Sequence, residues 1–138
     1  MRLPRQPRFW LAAFLLWFVA LCVMSSFTLP AVDRLPPIRH LDKLEHFGYF
    51  FIGGVLLCAF FHRRHPAFPQ GWVRIAVATV VIALIGWLDE WHQTFTLGRS
   101  GNDPYDWLAD LLGGAAGAWF FDRLRRLRSG HPILGSRR

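Results

Sequence analysis

The sequence predicts an all-α, polytopic membrane protein with four transmembrane helices and with both termini in the cytoplasm. Of its 138 residues, 53% are hydrophobic and only 18% are charged, whereas soluble domains average about 25% charged residues. Four apolar segments are long enough, at 1.5 Å per residue, to cross ~30 Å of hydrocarbon. This composition excludes an intrinsically disordered chain and a polar domain surrounded by water.

Each predicted span is a run with few charges. Segment 9–29 carries no charge, and segment 41–61 is apolar after its first six residues. Segment 73–91 is rich in Val, Ile and Ala and is polar only at its C-terminal end. Segment 104–121 is rich in Gly and Ala and has carboxylates in its first turns. The four spans fill most of one membrane domain, residues 1–138.

The first span has a second interpretation as a secretory signal, because three arginines precede its apolar stretch. Its uncharged core is longer than a usual signal core, and Phe27-Thr28-Leu29-Pro30 is a poor small-residue cleavage site. We therefore expect this segment to be retained as a span.

The distribution of Lys and Arg predicts the orientation. With the N-terminus inside, 12 of the 16 cationic residues lie on the cytoplasmic side, as the positive-inside rule requires. The outer side then holds only Arg34, Arg39, Lys43 and Arg99. The net charge of +7 thus reflects topology and contact with anionic lipid, and we expect no nucleic-acid partner.

Carboxylates segregate in the opposite direction, although they contribute little to orientation. In this topology Asp122 is the one acidic residue on the inner side. The eight on the outer side are Asp33, Asp42, Glu45, Asp89, Glu90, Asp103, Asp106 and Asp110. This distribution predicts a single polar site near the outer leaflet, formed by the second, third and fourth spans.

Helical spacing places polar and small residues of these three spans on common stripes. Because helices approach closely at small residues, the polar groups above them are expected to converge. The stripes are Asp42, His46, Tyr49 and Gly53; Gly86, Glu90 and Gln93; and Asp106, Asp110, Gly113 and Gly117.

The segment before the fourth span combines a turn with a helix start. Asp103 is suited to the N-cap and Pro104 to the first helical position. Arg99 lies in a glycine-flanked turn, where its planar guanidinium can reach a carboxylate or a phosphate.

Four polar motifs occur in a fixed order along the chain: DKLEHF at 42–47, GWLDEWHQTF at 86–95, GRSG at 98–101 and DWLADLLG at 106–113. Together they closely resemble the VanZ-like membrane proteins, whose pattern runs DK..HF, DE.HQ.F, GR.G and D..AD..G. The resemblance covers about residues 42–117. The sequence departs from it at Thr96-Leu97, where Val-Pro is common, which makes the approach to Arg99 less rigid.

The resemblance implies a protein of the bacterial cytoplasmic membrane with its polar site on the outer face. The founding member of the family is linked to resistance against the glycopeptide teicoplanin. The partners implied are membrane lipids or a lipid-linked precursor of the cell envelope, while the cofactor, the exact substrate and the oligomeric state stay open. Carried over position by position, the family's polar residues are Asp42, Lys43, His46, Glu90, Gln93, Arg99, Asp106 and Asp110.

A catalytic hypothesis assigns acid and base roles among these residues. His46, Glu90 and Asp106 are the catalytic candidates, with His46 oriented by Asp42 one helical turn away. Arg99 and Lys43 would hold a phosphate-bearing lipid headgroup for hydrolysis or transfer. The chain has no nucleophile signature, because Ser100 lacks an elbow motif.

The leading hypothesis, to which catalysis is the alternative, is a protein that binds or modulates a lipid-linked envelope component, with Asp42, Lys43, Gln93, Arg99 and Asp110 as the binding candidates. Buried pairs that only orient the helices, and passage of ions or protons, are further alternatives. The set His46, Glu90, Asp106 and Asp110 is suited to a divalent metal. Since no HExxH-type motif places two ligands on one helix, we predict no metal site.

Overall fold

The computed structural model describes residues 4–27, 41–65, 71–99 and 101–128, and these ranges contain helices and no strand. The helices are α1 (Pro7–Ser25), α2 (Leu41–Arg64), α3 (Gly71–Gln93) and α4 (Pro104–Arg128). Helices α1, α2 and α3 are each long and apolar enough to cross a membrane. The predicted all-α class is confirmed for the described residues, and three of the four predicted spans correspond to helices with the length and composition of a membrane span, whereas α4 does not reach the same hydropathy.

The helix ends differ from the predicted span ends. Helices α2, α3 and α4 continue beyond 61, 91 and 121, to Arg64, Gln93 and Arg128, because hydropathy marks the apolar part of a helix and not the end of its hydrogen bonding. Helix α1 ends earlier than predicted, at Ser25, where the Ser26 hydroxyl donates to the Cys22 carbonyl. The end of the predicted first span, residues 28–29, lies outside the described residues.

Glycines bring α2 and α4 together in the most extensive helix pair of the fold. A Cβ added at Gly117 would collide with the carbonyl oxygen of Phe51, and one added at Gly113 would collide with that of Phe47. Gly54 lies directly against the backbone of Gly114. The expectation that the glycines of the fourth segment serve helix packing is therefore confirmed.

Helix α1 is held against α2 by an aromatic pair with reciprocal hydrogen bonds. Trp17 stacks on Tyr49 with ring centroids 5.4 Å apart. The Trp17 indole donates to the Tyr49 carbonyl at 3.0 Å, and the Tyr49 hydroxyl donates to the Trp17 carbonyl at 2.9 Å. Gly53 leaves the space that the Trp17 ring occupies. Tyr49 thus serves α1 packing as well as the predicted polar stripe.

The outer surfaces of the helices are apolar. Leu16, Val19 and Val23 of α1 and Val80 and Leu84 of α3 are all more than half exposed. Large apolar side chains exposed along two helices are unfavourable in water and are suited to lipid chains.

Charged clusters mark the two ends of the bundle. At one end Asp122 is buried and accepts hydrogen bonds from Arg74, Arg125 and Arg126 at 3.0, 3.2 and 2.6 Å. This cluster ties the start of α3 to the end of α4. The acidic residues of the predicted site lie at the opposite end of these antiparallel helices.

Candidate functional site

Lys43 joins the start of α2 to the start of α4. Its ammonium lies 3.0 Å from Asp42, 2.7 Å from Asp103 and 2.7 Å from Asp106. Asp103 also accepts the backbone N–H of Tyr105 at 2.8 Å, which confirms its role as the N-cap. The hydrogen bond from Lys43, together with that from the Tyr105 amide, holds the pKa of Asp103 below its ordinary value. Lys43 is thus already engaged by carboxylates.

The connection from α3 to α4 folds back over the end of α3. The backbone N–H of Asn102 donates to the Glu90 carbonyl at 3.2 Å, and the N–H of Asp103 donates to Glu90 Oε2 at 2.8 Å. Positive φ values at Gly98, Gly101 and Asn102 allow this reversal. At Gly101 a Cβ would also press against the Thr94 amide. The reversal positions the start of α4 above the Glu90 carboxylate.

A buried triad, which we define as His46, Glu90 and Asp110, draws one residue from each of α2, α3 and α4. His46 Nδ1 lies 2.9 Å from Asp110 Oδ1. One nitrogen or carboxylate oxygen from each of the three residues lies within 4.8 Å of those from the other two. Asp110 is fully buried and Glu90 is 3% exposed. The Asp110 carboxylate fits against Gly86, where any Cβ would collide with it.

The partner of His46 differs from the one predicted. Asp42 contacts Lys43, its side chain is 60% exposed, and the carboxylate that contacts His46 is that of Asp110. Intrahelical spacing suggested Asp42, since it lies one turn before His46. Asp42 lies at the exposed start of α2, whereas the buried side of His46 faces α4. The hypothesis that Asp42 orients His46 is therefore wrong.

A second network extends from α3 to α1 and to the turn. Asp89 accepts the hydroxyl of Ser25 at 2.5 Å and the side-chain amide of Gln93 at 2.8 Å. The Arg99 guanidinium donates to Gln93 Oε1 at 3.1 Å and to the Met24 carbonyl at 3.3 Å. Asp89 and Ser25 were absent from the predicted site residues. The spacing of Asp89 four residues before Gln93 was a signal in the sequence, whereas nothing there connected Ser25 with α3.

A cavity of about 430 Å³ opens between α1, α2 and α3. Its polar lining comes from Ser25, Glu45, His46, Tyr49, Asp89, Gln93 and Arg99, and its apolar lining from Leu21, Met24, Phe50 and Ile52. The predicted pocket involved the second, third and fourth spans, but the cavity is lined by α1 in place of α4. Helix α4 contributes through Asp110, which contacts His46.

The predicted site residues thus form three neighbouring groups, and His46 belongs to two of them. Lys43, Asp42 and Asp106 lie at the helix starts, and Gln93 and Arg99 lie at the cavity together with His46. Glu90 and Asp110 belong to the buried triad and do not line the cavity. The arrangement offers one imidazole at the boundary between buried carboxylates and an amphiphilic cavity. Comparisons of the chain with protein families, with curated proteins and with solved structures found no match.

Proposed function

We propose that this chain is a VanZ-like protein of the bacterial cytoplasmic membrane that binds the phosphate-bearing headgroup of a lipid-linked envelope component. The cavity between α1, α2 and α3, with Arg99 in its lining, is the observation that carries this proposal. The four motifs of the resemblance, which are separate in sequence, contribute to the neighbouring groups of the site. Their proximity is what a shared ligand would require.

The two-sided lining favours an amphiphile over a soluble metabolite. Leu21, Phe50 and Ile52 provide an apolar wall within a bundle whose outer face is suited to lipid, and Gln93 and Arg99 provide polar contacts at the end of α3. A lipid can place its chain along the apolar wall and its headgroup at the polar contacts.

Arg99 is the group we assign to phosphate recognition. It donates to two neutral oxygens, and among the described residues no carboxylate forms an ion pair with it. Its positive charge is therefore available to an anion, unlike that of Lys43. A guanidinium matches the geometry of a phosphate through paired N–H donors.

The proposal includes four spans, cytoplasmic termini and a cavity on the outer face. The contacts of α4 support its crossing of the membrane despite its carboxylates. Asp106 contacts Lys43 and Asp110 contacts His46, so neither carboxylate faces lipid. The arginines at the end of α4 satisfy the positive-inside rule in this orientation.

Binding of a polyprenyl phosphate to the full-length protein in nanodiscs tests this proposal. Replacing Arg99 with glutamine is expected to weaken binding by about tenfold or more, since a loss of ~1.4 kcal/mol of interaction is tenfold in Kd. Tryptophan fluorescence or native mass spectrometry can measure the change. The matched control is Arg64→Gln, which removes an exposed arginine from the opposite end of α2.

The control variant is expected to bind within about twofold of the unmodified protein. Equal affinity in the Arg99→Gln and Arg64→Gln variants would contradict the headgroup site. A neutral polyprenol included as a second probe separates recognition of the phosphate from recognition of the chain.

A hydrolase or transferase acting on the same headgroup is the second candidate function. The hydrogen bond between His46 and Asp110 favours it, because a carboxylate that fixes an imidazole is a common arrangement for general acid–base catalysis. Two measurements on single-alanine variants distinguish the two functions: the teicoplanin susceptibility of the host and lipid binding. The variants are His46→Ala, Glu90→Ala and Arg99→Ala. Loss of the phenotype with retained lipid binding in the His46 variant would indicate chemistry, and loss of both would indicate a binding protein.

A further inference from the structure

We infer that the buried triad of His46, Glu90 and Asp110 is a binding site for one divalent transition-metal cation of the Zn²⁺ or Mn²⁺ class. The three residues come from three different helices, and one ligand atom from each lies within 4.8 Å of the other two. An imidazole nitrogen with two carboxylates is a ligand set typical of Zn²⁺, Mn²⁺ and Fe²⁺, whereas Ca²⁺ and Mg²⁺ favour oxygen ligands alone.

Two buried carboxylate oxygens of the triad have no hydrogen-bond partner among the described residues. Glu90 Oε2 accepts the Asp103 amide and Asp110 Oδ1 contacts His46, but no described group donates to Glu90 Oε1 or to Asp110 Oδ2. Burial of an unpaired carboxylate oxygen is costly, so native proteins supply a partner for such an atom. A cation bound by the two carboxylates would supply the partner that the described residues do not.

The charges around the triad also favour a cation. Lys43, the single lysine of the sequence, is shared by Asp42, Asp103 and Asp106 and is not available to neutralise Glu90 and Asp110. The site is therefore an acidic, mostly buried pocket whose countercharge is incomplete among the described residues.

The dimensions of the triad are close to those of a coordination sphere. Two ligand atoms bound at about 2.1 Å to one ion lie at most ~4.2 Å apart. The candidate ligand atoms of the triad lie within 4.8 Å of one another, so binding requires only a small inward movement of the side chains. Since His46 also lines the cavity, an exchangeable coordination position would face that side. Three protein ligands with an open position are typical of catalytic metal sites.

This inference departs from the sequence-based prediction of no metal site. That prediction relied on the lack of a motif with two ligands on one helix. Here each helix supplies one ligand, and the assembly depends on the close approach at Gly86 and on the glycine contacts of α2 with α4. No linear motif can reveal such a site.

The metal site goes beyond the proposed lipid binding and does not depend on it. A cation at His46 would add a positive centre to a cavity whose lining includes Glu45 and Asp89, which would assist binding of a phosphate headgroup. The test below uses the metal alone, so a failure of lipid recognition leaves its result unaffected.

Titration of the full-length protein in detergent with Zn²⁺ or with Mn²⁺, after chelator treatment, tests the site. Isothermal titration calorimetry and the shift in Tm are expected to show one equivalent bound at micromolar Kd. The variants Glu90→Gln and Asp110→Asn, which preserve side-chain size, are expected to weaken this binding by at least about tenfold. The matched control is Asp89→Asn, a buried acid of α3 whose oxygens already have partners, and it is expected to change Kd by less than about threefold.

Circular dichroism and size-exclusion chromatography check that each variant is folded. If Asp110→Asn does not fold, Glu90→Gln alone tests the site. A protein that binds neither ion at about 1 mM would overturn the inference, since the two carboxylates would then be satisfied by protons. Binding of equal strength in Glu90→Gln and in the unmodified protein would overturn it as well.

Discussion

Replacing Gly117 with alanine is expected to destabilise the folded protein by at least about 2 kcal/mol. The added methyl group would overlap the carbonyl oxygen of Phe51, which belongs to the backbone of α2 and cannot rotate away as a side-chain tip can. Relief requires the two helices to separate, which would also loosen the contact of Gly113 with Phe47. The free energy of unfolding in detergent, measured by denaturant titration, gives the change.

Gly48 provides a matched control in α2, because a Cβ at that position has no neighbour within 4 Å. Alanine is the better helix former, so Gly48→Ala is expected to stabilise the protein by up to ~1 kcal/mol. The two substitutions are chemically identical and opposite in expected sign. If Gly117→Ala were as harmless as Gly48→Ala, the close approach of α2 and α4 described above would be incorrect.

Replacing Asp122 with alanine is expected to cost about 3 kcal/mol or more. This carboxylate is 4% exposed and accepts hydrogen bonds from Arg74, Arg125 and Arg126. Its loss removes the buried carboxylate that these three guanidinium groups share. Thermal unfolding in detergent measures the effect, and the contact of α3 with the end of α4 is the part of the fold that should loosen.

Asp42→Ala is the control for that experiment. Asp42 also contacts a cation, Lys43, but its side chain is 60% exposed, and exposed ion pairs contribute less than about 1 kcal/mol. A smaller loss for Asp42→Ala than for Asp122→Ala is expected. Equal losses would show that burial does not distinguish the two clusters.

Several features of the fold could be predicted because they depend on local composition. The apolar segments predicted the all-α class, since only a helix satisfies its own backbone over such a length in lipid. Asp103 and Pro104 predicted the start of α4 through the chemistry of the cap. The glycines of α4 predicted close packing, because a small side chain has few other uses on an apolar helix.

The pairing between helices could not be predicted from the same information. Helical spacing placed Asp42 near His46, but the rotation of α2 against α4 determines that His46 contacts Asp110. The contact of Ser25 with Asp89 likewise depends on where α1 packs. Periodicity defines the faces of each helix and leaves open which face meets which neighbour.

The convergence of α2 and α4 at the buried triad can be measured by a double-mutant cycle. The free energy of unfolding is measured after chelator treatment for His46→Ala, for Asp110→Ala and for the double variant. A second cycle, which combines His46→Ala with Asp42→Ala, is the control. We expect a coupling energy of at least about 1 kcal/mol for His46 with Asp110 and less than about 0.5 kcal/mol for His46 with Asp42. Additive effects for His46 and Asp110 would contradict the shared site that links these helices.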